Sequence, residues 1–382
     1  MMNQFLKTYR LTFKTKAPVY IGNGRTISKK EYLFDQTEGL IEYIDIDKMY
    51  HGLCKMHLAQ QYENYLLREE NAGLFDFFCM NHITRQTYQP WIRYSEAVGD
   101  PTLNNHSVKD VNEFVKGQDG LPYIPGSSIK GAFRTMLEVS EILSNPHQYA
   151  DMADRIEQEE FRSRTRYLQK IQREIDEKTL HRELFHDKEG RYDSSSLVND
   201  VLRGIYFADS EPISYDNLCL CQKMDLSTDG VYKKANVIRE CIKPNTIIEM
   251  QVTIDSGMCP YTNKDILGAV AHYYANCTTE FISKFHDAPI IGGNSTNFFL
   301  GGGAGFVSKT VLYAISRGAA GRHIAAKVIN NTLSMQTRRR HGHDKDESKG
   351  VSPHMLKCTQ YQGRKYQMGA CCILKFIPME SS

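Results

Sequence analysis

The sequence lacks long apolar runs, and it lacks the short motifs that announce metal binding or a catalytic serine. No stretch of about 18 apolar residues occurs, so we expect no membrane-spanning helix. The first 20 residues contain no continuous apolar core, which predicts no secretory signal. The ten cysteines include no CxxC pair, so we expect reduced thiols in a cytoplasmic protein. There is also no GxSxG nucleophile motif.

The chain has almost no net charge. Its 382 residues carry a formal charge of +2, with 41% hydrophobic and 24% charged residues, as in ordinary globular proteins. This length allows two domains with sizeable cores. A nucleic-acid partner would therefore have to be bound by basic residues clustered on one surface.

Segments typical of strands and helices alternate unevenly. Strand patterns occur near Tyr9–Phe13, at 31–36 and 40–46 as a hairpin, at 204–213, at 236–255 and at 371–377; helix patterns occur at 47–70, within 151–189 and at 263–286, and loops are expected at 71–120 and 338–350. The helices are too few for regular βαβ repetition, so the pattern favours an α+β fold of two units. We place the boundary near residue 230, giving units 1–230 and 231–382.

The segment 123–137, YIPGSSIKGAFRTML, has the most informative local pattern. Gly126 and the proline before it predict a turn after a short strand. Ser127 or Ser128 can cap a following helix by accepting a bond from a free backbone N–H. Apolar residues then recur over 129–137 with the spacing of one helix face.

Two cations follow this predicted helix start. Lys130 and Arg134 are four residues apart and share a face that is distinct from the apolar one. Unpaired amides at a helix N-terminus beside two cations suit a bound phosphate. An ordinary capped helix with two solvated cations explains the same residues, so both interpretations stay open at this point.

A glycine-rich loop lies between a predicted strand, 297–300, and a predicted helix, 308–316. Its glycines, which permit positive φ and close approach of a ligand, are Gly301, Gly302, Gly303 and Gly305. Exposed amides in such a loop can bind phosphate, and Lys309 could add a cation. A loop that contacts an RNA backbone and a simple tight turn are both compatible with this sequence.

A nucleotide-binding P-loop is a third interpretation of this loop. Residues 303–310, GAGFVSKT, match GxxxxGK[ST] except that Ser308 replaces the second glycine. Only about 70 residues follow, which is little for the sheet that normally follows a P-loop. Phe306 stands where the dinucleotide motif GxGxxG requires glycine, so that alternative is weaker still.

The remaining candidates for chemistry are isolated. Asp209 and Glu211 could form an acid pair, but a strand-end turn explains both. His343 and Asp344 form an HD dipeptide, which cannot supply a closed ligand set by itself. Arginines and lysines within 162–173 could touch a polyanion, although a solvated helix face laced with opposite charges is the favoured explanation. We assign no catalytic residue, no metal and no cofactor.

Four segments in this order are more specific together than any one of them: APVYIGNG (17–24), YIPGSSIKGAFRT (123–135), FADSEPI (207–213) and FFLGGGAGF (298–306). This set resembles the RAMP superfamily of CRISPR-associated proteins. The likeness is greatest to the subunit that caps the guide-RNA 3′ end in type III-A (Csm) effector complexes, and it covers nearly the whole chain.

The resemblance implies two ferredoxin-like, RRM-related domains with irregular helical insertions. It implies binding of crRNA near its 3′ end, beside the backbone subunit and the small subunit, and a role in guide maturation that involves host nucleases. The positions that match the family motifs, and are therefore expected to bind RNA, are Gly22, Gly24, Gly126, Ser127, Ser128, Lys130, Arg134, Gly301, Gly302, Gly303 and Gly305, with Lys309 beside them. Some relatives cut RNA, so an RNA endonuclease is the alternative; Glu31, Asp35, His51 and His57 offer no convincing match to their catalytic groups.

Overall fold

The computed structural model describes residues 5–35, 38–67, 72–100, 110–161, 163, 167–289 and 291–379. Within them the strands are β1 (Leu6–Thr15), β2 (Gly22–Ile27), β3 (Tyr32–Asp35), β4 (Leu40–Ile44), β5 (Ile92–Ala97), β6 (Val111–Phe114), β7 (Ile205–Phe207), β8 (Leu218–Ser227), β9 (Tyr232–Ile242), β10 (Ile247–Asp255), β11 (Asn297–Phe299), β12 (Met355–Tyr361), β13 (Arg364–Gln367) and β14 (Ala370–Pro378).

The helices of the same residues lie mostly in three groups along the chain. They are α1 (Ile46–Lys55), α2 (Ala59–Leu67), α3 (Leu74–Met80), α4 (Arg85–Tyr88), α5 (Gly126–Ser144), α6 (Ala150–Gln158), α7 (Gln169–Leu180), α8 (Asn263–Glu280), α9 (Leu312–Ile315), α10 (Gly318–Thr332) and α11 (Met335–His341). Strands and helices thus form an α+β fold, as the sequence predicts. No described helix is both long enough and apolar enough to cross a membrane.

The first sheet has five strands in the order β11-β14-β1-β10-β7, and every pair is antiparallel. In β1 the alternation of Tyr9, Leu11 and Phe13 places all three side chains in the core, as a period of two requires. The long helices α5 and α8 pack against this face. Phe133 of α5 meets Phe298 of β11 with ring centroids 6.1 Å apart, and Phe298 in turn meets Phe13 at 5.6 Å.

The second sheet has nine strands. Seven follow the order β2-β6-β9-β8-β5-β4-β3, while β12 pairs with β8 and β13 pairs with β12. Most neighbours are antiparallel, but β5–β8 and β6–β9 are parallel. Helices α1 to α4 lie between β4 and β5 and have their own small core, which includes Met49, Leu53, Phe77 and Trp91.

Several expectations from the sequence are confirmed. The hairpin at 31–46 exists, with Tyr32 opposite Tyr43, and the strands within 236–255 are β9 and β10, which adjoin Pro244. The charged region 151–189 contains helices α6 and α7, although Arg162, Arg164 and Arg166 lie outside the described residues.

Other expectations are wrong. The helix at 47–70 is two helices, because His57 adopts positive φ (59°) and breaks the run between α1 and α2. The expected loop at 338–350 contains the end of α11 and two 3₁₀ turns. The expected loop-rich stretch 71–120 contains α3, α4, β5 and β6.

Both sheets take strands from both sides of residue 230. In the first sheet β1 pairs with β10 and β14, and in the second β6 pairs with β9. Segments that are distant in sequence are therefore brought to one surface. A division into units 1–230 and 231–382 stays a prediction, and it would cut through both sheets.

Candidate nucleic-acid interface

The segment 207–213 holds the start of helix α5. The Gly126 N–H donates to Asp209 Oδ1 at 2.8 Å, and the Ile124 N–H donates to Ser210 Oγ at 2.9 Å. The Ser210 N–H returns a bond to the Ile124 carbonyl at 3.0 Å. A Cβ at Gly126 would lie 2.1 Å from the Phe207 carbonyl oxygen, so only glycine permits this approach.

A carboxylate of the protein thus already lies at the helix N-terminus where a phosphate was expected. The predicted serine cap is wrong, since the N-cap is Pro125 and its side chain makes no capping bond. Ser127 remains exposed and Ser128 is half-buried. Asp209 therefore has a structural role, because an anion beside a helix N-terminus is stabilised by the helix dipole.

Lys130 and Arg134 are bonded within the protein. Lys130 Nζ donates to the Ile205 carbonyl at 2.9 Å, and burial is the main cause that lowers its pKa. Arg134 Nη1 donates to Asp200 Oδ2 at 2.9 Å, and its Nε donates to Glu138 Oε1 at 3.2 Å. Much of the charge of Arg134 is therefore balanced by the Asp200 carboxylate, and a role of either cation in RNA binding stays a prediction.

The structure brings the first turn, the start of α5 and the glycine loop to one cleft. The cleft has a volume of about 490 Å³, and the predicted site residues that line it are Gly22, Ser127, Ser128, Gly301, Gly302 and Lys309. Lys309 is the one cation among the described residues of the lining, and its side chain is exposed. Residues from three separate segments therefore share one concave surface.

The glycine loop packs directly on the first turn. The Gly302 N–H donates to the Tyr20 carbonyl at 2.7 Å. Gly301 has φ of +86°, and a Cβ there would lie 2.2 Å from the same carbonyl oxygen. Gly22 is also a close-approach position, since its Cβ would lie 2.1 Å from Tyr20 Oη, whereas Gly24 is exposed with φ of +87°.

The other end of the loop meets basic side chains of the second sheet. Gly303 and Gly305 have φ of +96° and +95°. A Cβ at Gly303 would lie 2.5 Å from Arg239 Nη1, and a Cβ at Gly305 would lie 3.2 Å from Lys357 Cγ. Glycines at these positions therefore let the loop backbone lie against Arg239 on β9 and Lys357 on β12.

These two residues and Lys223 on β8 form a group that we call the sheet cations. Arg239 lies over the Tyr20 ring, 4.9 Å from its centroid, and Lys357 Nζ contacts Asp225 at 2.7 Å. The pKa of Lys223 is lowered, first by burial and then by the positive charge of Lys357. The charge of Asp225 offsets only part of this group, so the surface beside the loop favours an anion.

Sequence reasoning missed the sheet cations. Their positions, 223, 239 and 357, share no motif and no spacing. The pairing of β8 with both β9 and β12 is what brings them together.

The P-loop interpretation of the glycine loop is wrong. Lys309 ends a 3₁₀ turn, Val307–Lys309, and the next helix, α9, has only four residues. Strand β11 before the loop is antiparallel to its neighbour β14. A P-loop needs a long helix immediately after the loop, so that its amides and lysine surround a phosphate.

The candidate catalytic residues of an endonuclease lie apart from this cleft. Asp35 forms an ion pair with Arg85, and Glu31 accepts a bond from Arg25 at 2.5 Å. His51 Nδ1 bonds to the Asp47 carbonyl oxygen of its own helix at 2.7 Å. No specific observation favours cleavage chemistry at these positions.

Comparison with known families defines the class of protein. The family model of the RAMP superfamily matches residues 12–306, which span all four motifs. The chain therefore belongs to the RAMP superfamily, and the resemblance drawn from those motifs is confirmed.

Curated relatives carry a more particular name. The protein called CRISPR system Cms protein Csm5 from Streptococcus thermophilus is 27% identical to this chain over 320 residues. The alignment covers 81% of this chain and 82% of the relative. The protein of that name from Mycobacterium tuberculosis is 25% identical over 396 residues, covering 97% and 98%. The one from Enterococcus italicus is 26% identical over 406 residues, covering 98% of both chains.

Solved structures share the fold. A chain in a cryo-EM structure of a Csm–crRNA–target RNA ternary complex of a type III-A CRISPR-Cas system aligns with a TM-score of 0.62 at 16% identity, covering 96% of this chain and all of that chain. The crystal structure of T. onnurineus Csm5 aligns with a TM-score of 0.60 at 15% identity, covering 94% and 99%.

Proposed function

We propose that this chain is an RNA-binding subunit of a type III-A CRISPR effector complex and that it caps the 3′ end of the crRNA. One observation carries the proposal. The glycine loop has Lys309 and the cleft at one end and the sheet cations at the other. Positive charge therefore lies at both ends of a loop whose glycines have no side chains to shield the backbone.

The chemistry of this surface suits a guide of any sequence. A subunit that accepts every spacer must bind phosphates and 2′-hydroxyls rather than base edges. Ammonium and guanidinium groups bind phosphate without reading the base. Arg239, fixed over Tyr20, presents its guanidinium at a defined position instead of sampling many rotamers.

The start of α5 is a second proposed contact. Gly126, Ser127 and Ser128 border the cleft or lie beside it, while Lys130 and Arg134 follow on the helix. Lys130 donates its hydrogen bond to a backbone carbonyl, although the charge of Asp200 also acts on it, so part of its positive charge remains to attract a nearby phosphate. Loss of RNA affinity in Lys130→Ala, with the Arg134 ion pairs intact, would support this contact.

Neighbouring subunits and the cellular setting are part of the same proposal. The curated relatives and the aligned complex support crRNA and other Csm subunits as partners, and we propose that the contacts are with the backbone subunit and the small subunit in the cytoplasm. A role in crRNA maturation would follow from covering the 3′ end, because host nucleases could trim the guide only as far as this subunit.

We also propose that the first sheet is a ferredoxin-like, RRM-related unit. In chain order its core elements are β1, α5, β7, β10, α8 and β14, with the strands in the order β14-β1-β10-β7 and β11 added at the edge beside β14. A βαββαβ unit with strand order 4-1-3-2 has this arrangement. The second ferredoxin-like domain stays a prediction, since the second sheet has its helices grouped between β4 and β5.

Nuclease protection of the crRNA tests the capping function. The effector complex is reconstituted with the wild-type chain or with Lys309→Gln/Arg239→Gln, and the boundaries of the protected guide are mapped. We expect the double variant to shorten protection at the 3′ end alone. Lys264→Gln, which removes an exposed lysine from the first turn of α8, is the matched control and should protect like the wild type. Unchanged 3′ boundaries in the double variant, or a change at the 5′ end, would contradict the proposal.

A further inference from the structure

Two histidines and an aspartate meet in the region between α11 and β12. His343 and Asp346 belong to the 3₁₀ turns after α11, and His354 immediately precedes β12. One donor atom from each residue lies within 4.8 Å of the other two. Among the described residues this is the one place where three such donors converge.

The carboxylate is buried without a permanent cation. Asp346 is 0% exposed and His354 is 5% exposed. The basic groups found within 4.0 Å of Asp346 in the described part of the chain are His343 and His354, which carry charge only when protonated. Buried charges in proteins are usually paired or bind metals, and in the described part of the chain this carboxylate has hydrogen-bond donors but no permanent positive charge within 4.0 Å.

The distances suit a small divalent ion. His343 Nδ1 lies 3.3 Å from both carboxylate oxygens, close to the separation of about 3.4 Å between ligands of a tetrahedral zinc ion. His354 Nδ1 lies 2.5 Å from Asp346 Oδ1, a hydrogen-bond contact. Metal binding would replace this hydrogen bond, and the two ligand atoms would move apart by about 1 Å.

A supporting shell already orients the carboxylate. Ser352 Oγ donates to Asp346 Oδ2 at 2.7 Å. The Tyr313 hydroxyl donates to the Ser352 carbonyl at 2.6 Å, which ties the shell to helix α9. Metal-binding carboxylates are commonly held by such hydrogen bonds. The His343 side chain is 11% exposed, which leaves a side of the site open for a water ligand.

We propose that His343, Asp346 and His354 bind one divalent transition-metal ion of the zinc class. Two imidazoles, a carboxylate and an open fourth position match the ligand preferences of zinc, while magnesium and calcium prefer oxygen ligands. The ion would link the turns after α11 to β12, the strand that carries Lys357. This inference rests on these three residues and does not require the proposed RNA-binding function.

Metal content of the purified full-length chain tests the proposal. All variants carry Cys54→Ser and Cys79→Ser, because these two exposed thiols could bind zinc adventitiously. After chelator treatment the protein is titrated with ZnCl₂ by calorimetry, and retained zinc is measured after gel filtration. We expect one zinc ion per chain, and at least tenfold weaker binding in His343→Gln.

His323→Gln is the matched control. His323 is an exposed histidine on α10 whose ring contacts Glu157 and Glu347 rather than Asp346. It should bind zinc like the parent protein. Zinc should also raise the Tm of the parent and of His323→Gln and leave the Tm of His343→Gln unchanged. Mg²⁺ or Ca²⁺ in place of zinc should change none of these Tm values.

Two outcomes would overturn the inference. The first is a parent protein that retains no zinc at micromolar free metal. The second is equal zinc binding by the parent and His343→Gln when the metal-free proteins have the same circular dichroism spectrum and Tm. In either case the three residues form only a buried His–Asp–His hydrogen-bond network.

Discussion

The salt dependence of RNA binding measures how many phosphates the proposed surface contacts. The informative perturbation is Lys309→Gln/Arg239→Gln, which removes one cation from the cleft and one from the sheet cations. The Lys309 side chain is exposed and that of Arg239 is half-buried, and neither forms an ion pair among the described residues. Replacing them therefore removes positive charge and leaves every carboxylate with its existing partner.

The expected magnitude follows from counterion release. For single-stranded nucleic acid, the slope of log K against log salt is about −0.7 for each neutralised phosphate. Removing two contacts should make the slope less negative by about 1.4. A charge-assisted hydrogen bond contributes about 1.5 kcal/mol, so the pair should weaken binding by about 100-fold at low salt.

Fluorescence anisotropy with labelled single-stranded RNA at four salt concentrations gives both quantities. Two RNAs of unrelated sequence should lose affinity equally, because phosphate contacts do not read bases. Lys264→Gln should keep the wild-type slope. An unchanged slope in the double variant, or a loss confined to one RNA sequence, would refute the phosphate-binding surface.

Two further predictions concern stability and are measured by urea denaturation. Gly126→Ala should lower the free energy of unfolding by about 1–3 kcal/mol, because the new Cβ would overlap the Phe207 carbonyl. Gly131→Ala in the same helix has open space around it and should raise that free energy by about 0.5–1 kcal/mol; equal effects at both positions would contradict the packing argument. Burial, and then the charge of Asp176, raise the pKa of Glu138 from 4.5 to about 8. Between these two pH values the folded state holds a proton that the unfolded state has lost. The free energy of unfolding should therefore fall as pH rises from about 4.5 to about 8, by at most about 1.4 kcal/mol per pH unit. The variant Glu138→Gln should lack this pH-dependent contribution.

Much of the fold was predictable from local patterns. The alternation of apolar residues in β1 reports burial of one sheet face, and the helical spacing of 129–137 reports the core face of α5. The break between α1 and α2 was not predictable in the same way. Nothing in the apolar spacing there marks His57 as a residue of positive φ.

The candidate site was predictable only in part. Glycines at 301 and 302 were identified as backbone positions of a binding loop, yet their immediate physical role is close packing on Tyr20. Ser127 was expected to cap α5, but Asp209, 82 residues further along the chain, supplies the anion at that helix start. The sequence pattern located the N-terminus of α5 correctly. The side chain that accepts a bond from its free backbone N–H, however, follows the end of a strand that is distant in sequence.

The sequence by itself determined the superfamily, the α+β class and the motifs that border the cleft, because each depends on residues close together in the chain. Only the tertiary structure decided which charges face one another. Arg134 is balanced by Asp200, whereas Lys223, Arg239 and Lys357 meet beside the glycine loop, where Lys357 pairs with Asp225. Strand pairing across more than 100 residues sets these distances, and electrostatic energy depends on distance in space rather than on separation along the chain.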